Sequence, residues 1–81
     1  MRELTVWQSQ VLDMISGYID ANGFSPSHHE IREWLGATSV NAARYHILEL
    51  RHKGHIQYDR RARSIRLTQQ ALKHQAQKKP G

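Results

Sequence analysis

The sequence predicts a mostly α-helical domain with a small antiparallel β-hairpin: three helices in succession, then two short strands. Three observations predict this. Between Ser27 and Gly54, two short capped segments, each closed by a glycine, follow one another across a tight turn. Upstream, apolar residues recur at three- and four-residue steps from Val11 to Ile19. Downstream of Gly54, the apolar period drops from 3.6 to 2. Helix, short turn with glycine, helix is the helix-turn-helix plan, whose second helix normally enters the DNA major groove. A hairpin after it makes the winged form.

The first helix is predicted to start near Thr5, because Thr5-Val6-Trp7-Gln8 spells a capping box. Val11, Leu12, Ile15, Tyr18 and Ile19 form its apolar stripe, and Asn22-Gly23 ends it. Gly17 lies inside it, either for close approach of another helix or simply tolerated. Phe24-Ser25-Pro26 is a connector, with Ser25 pushed towards an extended conformation by the following proline. Ser27-His28-His29-Glu30 is a second capping box; Ile31, Trp34 and Leu35 follow at helical spacing, and Gly36 supplies a left-handed stop. Ser39 caps the third helix, which runs to about Lys53 and stops at Gly54.

Beyond Gly54, Ile56 and Tyr58 alternate with Gln57 and Asp59, and Ile65 and Leu67 alternate with Ser64 and Arg66. That pattern predicts two strands around a turn at Arg60-Arg61-Ala62-Arg63. Residues 1–68 thus read as a winged helix-turn-helix domain. Residues 69–81 read as a short helical or disordered basic tail. Thr68, just before it, can cap a helix holding Ala71, Leu72 and Ala76, and Gln75 to Gly81 is expected to fray.

Composition narrows the function. Eighty-one residues make one domain, and so short a chain buries only roughly 60% of its unfolded surface, which disfavours a deep catalytic cleft. No cysteine is present, which excludes a disulfide framework and a thiolate zinc site. No apolar run reaches a membrane span and no signal-peptide core opens the chain, so cytoplasmic residence is expected. Residues 1–43 carry two basic and five acidic residues, a net of −3; residues 44–81 carry ten basic and two acidic, a net of +8. Charge gathered in the half that holds the third helix and everything after it is the pattern of a footprint on phosphates, against the plainer alternative of a solvated basic face.

On the third helix, Val40, Ala43, Ile47 and Leu50 fall together as the core face. Asn41, Tyr45, Glu49 and His52 fall roughly opposite, with Ser39 and Ala42 at the exposed start and Arg44 on a flank. Asn can pair bidentately with adenine, Arg with guanine, and Ala can touch a thymine methyl, so this end is the candidate base-reading surface. Tyr45 fits a phosphate or base-edge contact, or a half-buried place at the helix edge. Arg60, Arg61 and Arg63 make a basic wing tip suited to the backbone or minor groove. His28 sits in the first turn of the second helix, where backbone N–H groups attract anions.

Leu4-Thr5, Val11, Ile15, Ile19, Gly23, Pro26, Glu30-Ile31, Leu35-Gly36, Ser39, Asn41-Ala42-Ala43, His46, Leu50, Lys53-Gly54, Ile56 and Ile65-Arg66-Leu67 together resemble the N-terminal DNA-binding domain of LexA repressors. The resemblance covers about residues 4–67. It implies a winged helix-turn-helix that represses transcription from operator DNA, usually as a dimer on an inverted repeat, with contact roles for Ser39, Asn41 and Ala42. A bacterial or phage- or plasmid-encoded protein associated with the nucleoid is expected, although the sequence itself does not show the origin. Two departures stand out. Arg44 and Tyr45 occupy positions where the enterobacterial form has glutamates, which should change the preferred bases. The wing lacks the family's usual glycines and has gained arginines. The family's linker and self-cleaving peptidase domain would begin where this chain ends, so neither self-cleavage nor dimerisation through that domain carries over.

The expected partner is therefore double-stranded DNA, bound by a homodimer that is weak or monomeric in solution, with no cofactor, metal, membrane or small-molecule ligand and no enzymatic activity. Six histidines are present, but they show no HExxH spacing, and His52 and His55 are separated by the helix stop at Gly54. Trp7 and Trp34 either complete the core or, if exposed, mark a partner surface. The second possibility supports an alternative function, a winged-helix protein-interaction module or accessory factor to a recombinase or another regulator.

Overall fold

The computed structural model describes residues 4–78, and helix α1 spans Val6–Asn22, α2 His28–Leu35, α3 Val40–His52 and α4 Gln69–Lys78, with strands β1 Ile56–Gln57 and β2 Arg66–Leu67 between α3 and α4. Both predicted capping boxes form. Thr5 Oγ1 accepts from Gln8 N at 3.1 Å while Gln8 Oε1 accepts from Thr5 N, and Ser27 Oγ accepts from Glu30 N at 3.2 Å while Glu30 Oε1 accepts from Ser27 N at 2.7 Å. The turn between α2 and α3 is made at Gly36, whose φ of 73° lies in the left-handed region that a side chain resists. Its N–H and that of Ala37 reach back to Glu33 and Arg32 carbonyls, closing α2.

The core is the meeting of three helical stripes with the hairpin. Val11, Leu12 and Ile15 of α1, Ile31 of α2, and Ala43, Ile47 and Leu50 of α3 are fully buried, joined by Ile56, Tyr58 and Ile65. Tyr18 and Ile19, placed on the same stripe by spacing, are only half-buried, as is Val40. His46 replaces Val40 in the α3 core face: positions 43, 46, 47 and 50 are the true i, i+3, i+4, i+7 stripe, and the polarity of the imidazole disguised it.

The strands are shorter than their alternation predicts. Ile56 pairs with Leu67 and Gln57 with Arg66, antiparallel, and the ladder ends there. Burial still alternates, with Ile56, Tyr58 and Ile65 inside and Gln57, Asp59 and Arg66 outside. The ladder stops because Arg60 and Arg63 adopt φ of 74° and 55°, and because the Ile65 N–H goes to Ser25 Oγ instead of the partner strand. Ser25 and Pro26, read as a bare connector, are buried and form the seat of the hairpin.

The tail is better ordered than expected up to Lys78. Thr68 Oγ1 accepts from Ala71 N and donates to the Gly54 carbonyl at 2.6 Å, which caps α4 and ties it to the end of α3. Ala71 is fully buried, and Gln75 Nε2 donates to Asp13 Oδ1 on α1 at 3.0 Å. The segment predicted to fray from Gln75 thus continues the helix; residues 79–81 lie outside the described residues.

Candidate nucleic-acid interface

The start of α2, the start of α3 and the hairpin loop enclose a groove of about 280 Å³. His28 and His29 line it from α2, Val40 and Arg44 from α3, and Arg60, Arg61 and Arg63 from the wing. Residues scattered over 36 positions of sequence are brought together because the helix-turn-helix crossing sets α2 and α3 side by side and Ser25 fixes the wing next to them.

Within this groove the cations differ in freedom. Arg61 meets Asp59 at 3.3 Å, but its side chain is 84% exposed, and an exposed pair like this holds weakly enough to be exchanged for a phosphate. Arg60 and Arg44 are exposed. Arg63, expected alongside them on the backbone, also lines the groove and its side chain stays 39% exposed, but it is engaged by the protein: its Nη1 lies 2.9 Å from Glu30 Oε1 and 3.0 Å from the Ser25 carbonyl, and its guanidinium packs over the Phe24 ring at 4.9 Å. Glu30 accepts from the Ser27 backbone N–H, from Arg63 and from Tyr18 OH, and these donors, in that order, pull its carboxyl down to about 2.

His28 is half-buried, with its ring 5.4 Å from Tyr58. Burial, then the nearby Arg44 and His29 charges, holds its pKa below the ordinary histidine value. It therefore offers a neutral N–H to the groove rather than a cation.

On α3, Asn41 and Tyr45 are exposed, Tyr45 at 57%. Ala42 is half-buried, and Ser39 Oγ accepts from Asn41 N at 3.1 Å, which leaves the Ser39 hydroxyl proton free to donate outward. Ser39, Asn41, Ala42 and Tyr45 thus share the start and the outer side of the helix, and Arg44 faces the wing groove.

Sequence reasoning passed over two features. Arg51 and Arg66 line a second open groove of about 470 Å³ on the other side of the hairpin, where their only sequence signal was membership of the basic half. An aromatic chain also runs across the helices. Trp7 stacks on Trp34 at 5.8 Å, His46 meets Trp7 edge-on at 6.0 Å, and Tyr45 meets His46 at 5.3 Å. Both tryptophans stay about half exposed, at 46% and 44%, so neither completes the core. Among the described residues, no helix is long and apolar enough to cross a membrane, and no three potential metal ligands gather.

Comparison with known proteins agrees with this geometry. The family model for the LexA DNA binding domain matches residues 1–64. The chain is 42% identical to the LexA repressor of Petrotoga mobilis over 83% of its own length and 33% of that protein's. It is 47% identical to that of Marinobacter nauticus over 68% of this chain and 27% of the relative, and 44% identical to that of Cellvibrio japonicus over 85% and 35%. The chain spans about a third of the length of these relatives. A winged helix-turn-helix with a basic groove between its second helix and its wing, matched over most of its length by that model, belongs to the LexA DNA-binding domain family.

Proposed function

We propose that this chain is a sequence-specific double-stranded DNA-binding regulator, acting as a repressor and carrying out no catalysis of its own. The start of α3 enters the major groove, where Ser39, Asn41, Ala42, Arg44 and Tyr45 meet base edges or flanking phosphates. Arg60 and Arg61 of the wing, with His28 at the start of α2, take the backbone. The single observation that carries this reading is the groove that gathers Arg44, Arg60 and Arg61 beside the exposed start of α3. Residues 1–68 are the DNA-binding unit, and residues 69–81 are a basic tail whose helix docks on it. Action on DNA of bacterial, phage or plasmid origin places the protein in the cytoplasm, at the nucleoid.

One module of this kind reads few base pairs, so we propose that two copies bind an inverted repeat while the free protein is monomeric or weakly paired. Selection of sites from a random duplex pool, followed by affinity measurements across a salt series, tests both points. An inverted repeat and a steep fall of affinity with salt are expected. A single asymmetric half-site would overturn the pairing, and a flat salt response would overturn the DNA reading.

The half-exposed stack of Trp7 on Trp34 favours one second reading, a winged helix used mainly for protein contact. It predicts no selected consensus from the same pool.

A further inference from the structure

We propose that Arg63 is the strut that positions the wing for DNA and is not itself a phosphate contact. This rests on the DNA-binding reading above and refines it. Two ladder pairs alone join β1 to β2, too few to hold the loop of residues 58–65 in one place against α3. Further fixtures are the Thr68 N–H on the His55 carbonyl beside the ladder, the Asp59 N–H on Ser64 Oγ across the loop, the Tyr58 ring against His28, the Ile65 N–H on Ser25 Oγ, the burial of Tyr58 and Ile65, and Arg63.

Arg63 is the most connected of these. Its Nη1 reaches Glu30 Oε1 at 2.9 Å, the Ser25 carbonyl at 3.0 Å and Tyr18 OH at 3.2 Å; its Nη2 reaches Glu30 Oε2 at 3.3 Å. Tyr18 OH in turn donates to Glu30 Oε2 at 2.9 Å. One guanidinium thereby bolts the wing to α1, to the connector and to α2, through the same carboxylate that caps α2 at Ser27 N. The planar fork is what makes this possible, because an ammonium of similar reach is a point charge without paired, coplanar donors. A phosphate could take the Nη1 and Nη2 donors that hold Glu30 only by displacing that carboxylate. Arg60 and Arg61, three and two residues earlier in the loop, face the groove, so the strut fixes where their charges stand.

The two possible roles of Arg63 give opposite signs in one experiment. If Arg63 contacts phosphate, Glu30→Gln removes its competitor and a nearby negative charge, and DNA affinity rises. If Arg63 is a strut, Glu30→Gln loosens the wing and affinity falls, by about fivefold to tenfold for loop residues that must be ordered again on binding. Glutamine keeps the capping box, so α2 stays folded. Arg63→Lys retains the charge; as a strut it should also lose about fivefold to tenfold in affinity with the salt slope unchanged, because the count of cations is unchanged. Combining Arg63→Lys with Glu30→Gln should be no worse than the weaker single variant.

Affinity of each variant for the site selected by the wild type, read across a salt series, decides the matter. In the unbound protein, amide exchange at Ile65 should quicken in both variants while that of Ile47 stays protected, which reads the wing apart from global folding. Tighter binding by Glu30→Gln, wild-type affinity in Arg63→Lys, or unchanged exchange at Ile65 would each overturn the strut and leave the DNA reading standing. A wild type that binds no duplex would overturn the reading itself.

Discussion

Trp7 at the start of α1 lies on Trp34 near the end of α2, rings 23° from parallel and centroids 5.8 Å apart, with about half of each side chain in water. The stack joins two helices outside the fully buried core. We expect Trp34→Ala to lower the unfolding free energy by about 1 kcal/mol, the usual worth of an aromatic pair, measured by urea unfolding. If the exposed faces also join two copies on DNA, the same variant should bind a single half-site normally and lose cooperativity on the full repeat.

Asn41→Ala should weaken binding to the selected site by about 1–3 kcal/mol and relax preference at one base position, because an amide that reads a base edge carries sequence information. Arg61→Ala should weaken binding to all duplexes alike and reduce the salt slope by about one. Repeating the site selection with Asn41→Ala checks the first; an unchanged consensus would remove Asn41 from the reading face.

Glycine substitutions should act in opposite directions. A methyl group added at Gly17 meets no atom within 4 Å, so Gly17→Ala should stabilise by about 1 kcal/mol through helix propensity alone. At Gly54 the φ is 85° and an added Cβ would stand 2.8 Å from Gln70 Oε1, so Gly54→Ala should destabilise by more than about 1 kcal/mol. Urea midpoints of the two variants on either side of wild type would bear this out.

Acid should weaken the fold in two stages. His46 and His55 are buried, and desolvation, the first cause for each, holds both below the ordinary 6.5, with the His74 and Lys53 charges adding to it at His55. The unfolded chain therefore takes up protons near pH 6.5 that the folded chain refuses, so stability is full above that pH and falls below it. Glu30 follows the same sign lower down: its contribution is complete above the ordinary 4.5 and is lost as pH falls towards about 2. Urea unfolding at several pH values checks this, and His46→Phe should flatten the first stage.

Local chemistry determined much of this protein from the sequence alone. Capping boxes at Thr5 and Ser27 and the stop at Gly36 depend on residues at most four apart, so helix starts and ends were legible without a fold. The same holds for the α1 stripe and for the exposed start of α3, because helical periodicity places them. Tertiary structure decided what side chains far apart in the chain do to each other. His46 is core because Trp7 from α1 lies against it, and polarity gave the opposite hint. Ser25 turned from connector to seat only when Ile65 and Arg63 arrived from 40 and 38 positions away. The wing shows the division most clearly: three arginines at neighbouring positions read alike in sequence, yet Arg61 meets its loop neighbour Asp59 while Arg63 reaches Glu30 on another helix, because a charge goes to whichever partner the fold sets within hydrogen-bonding distance at the right angle.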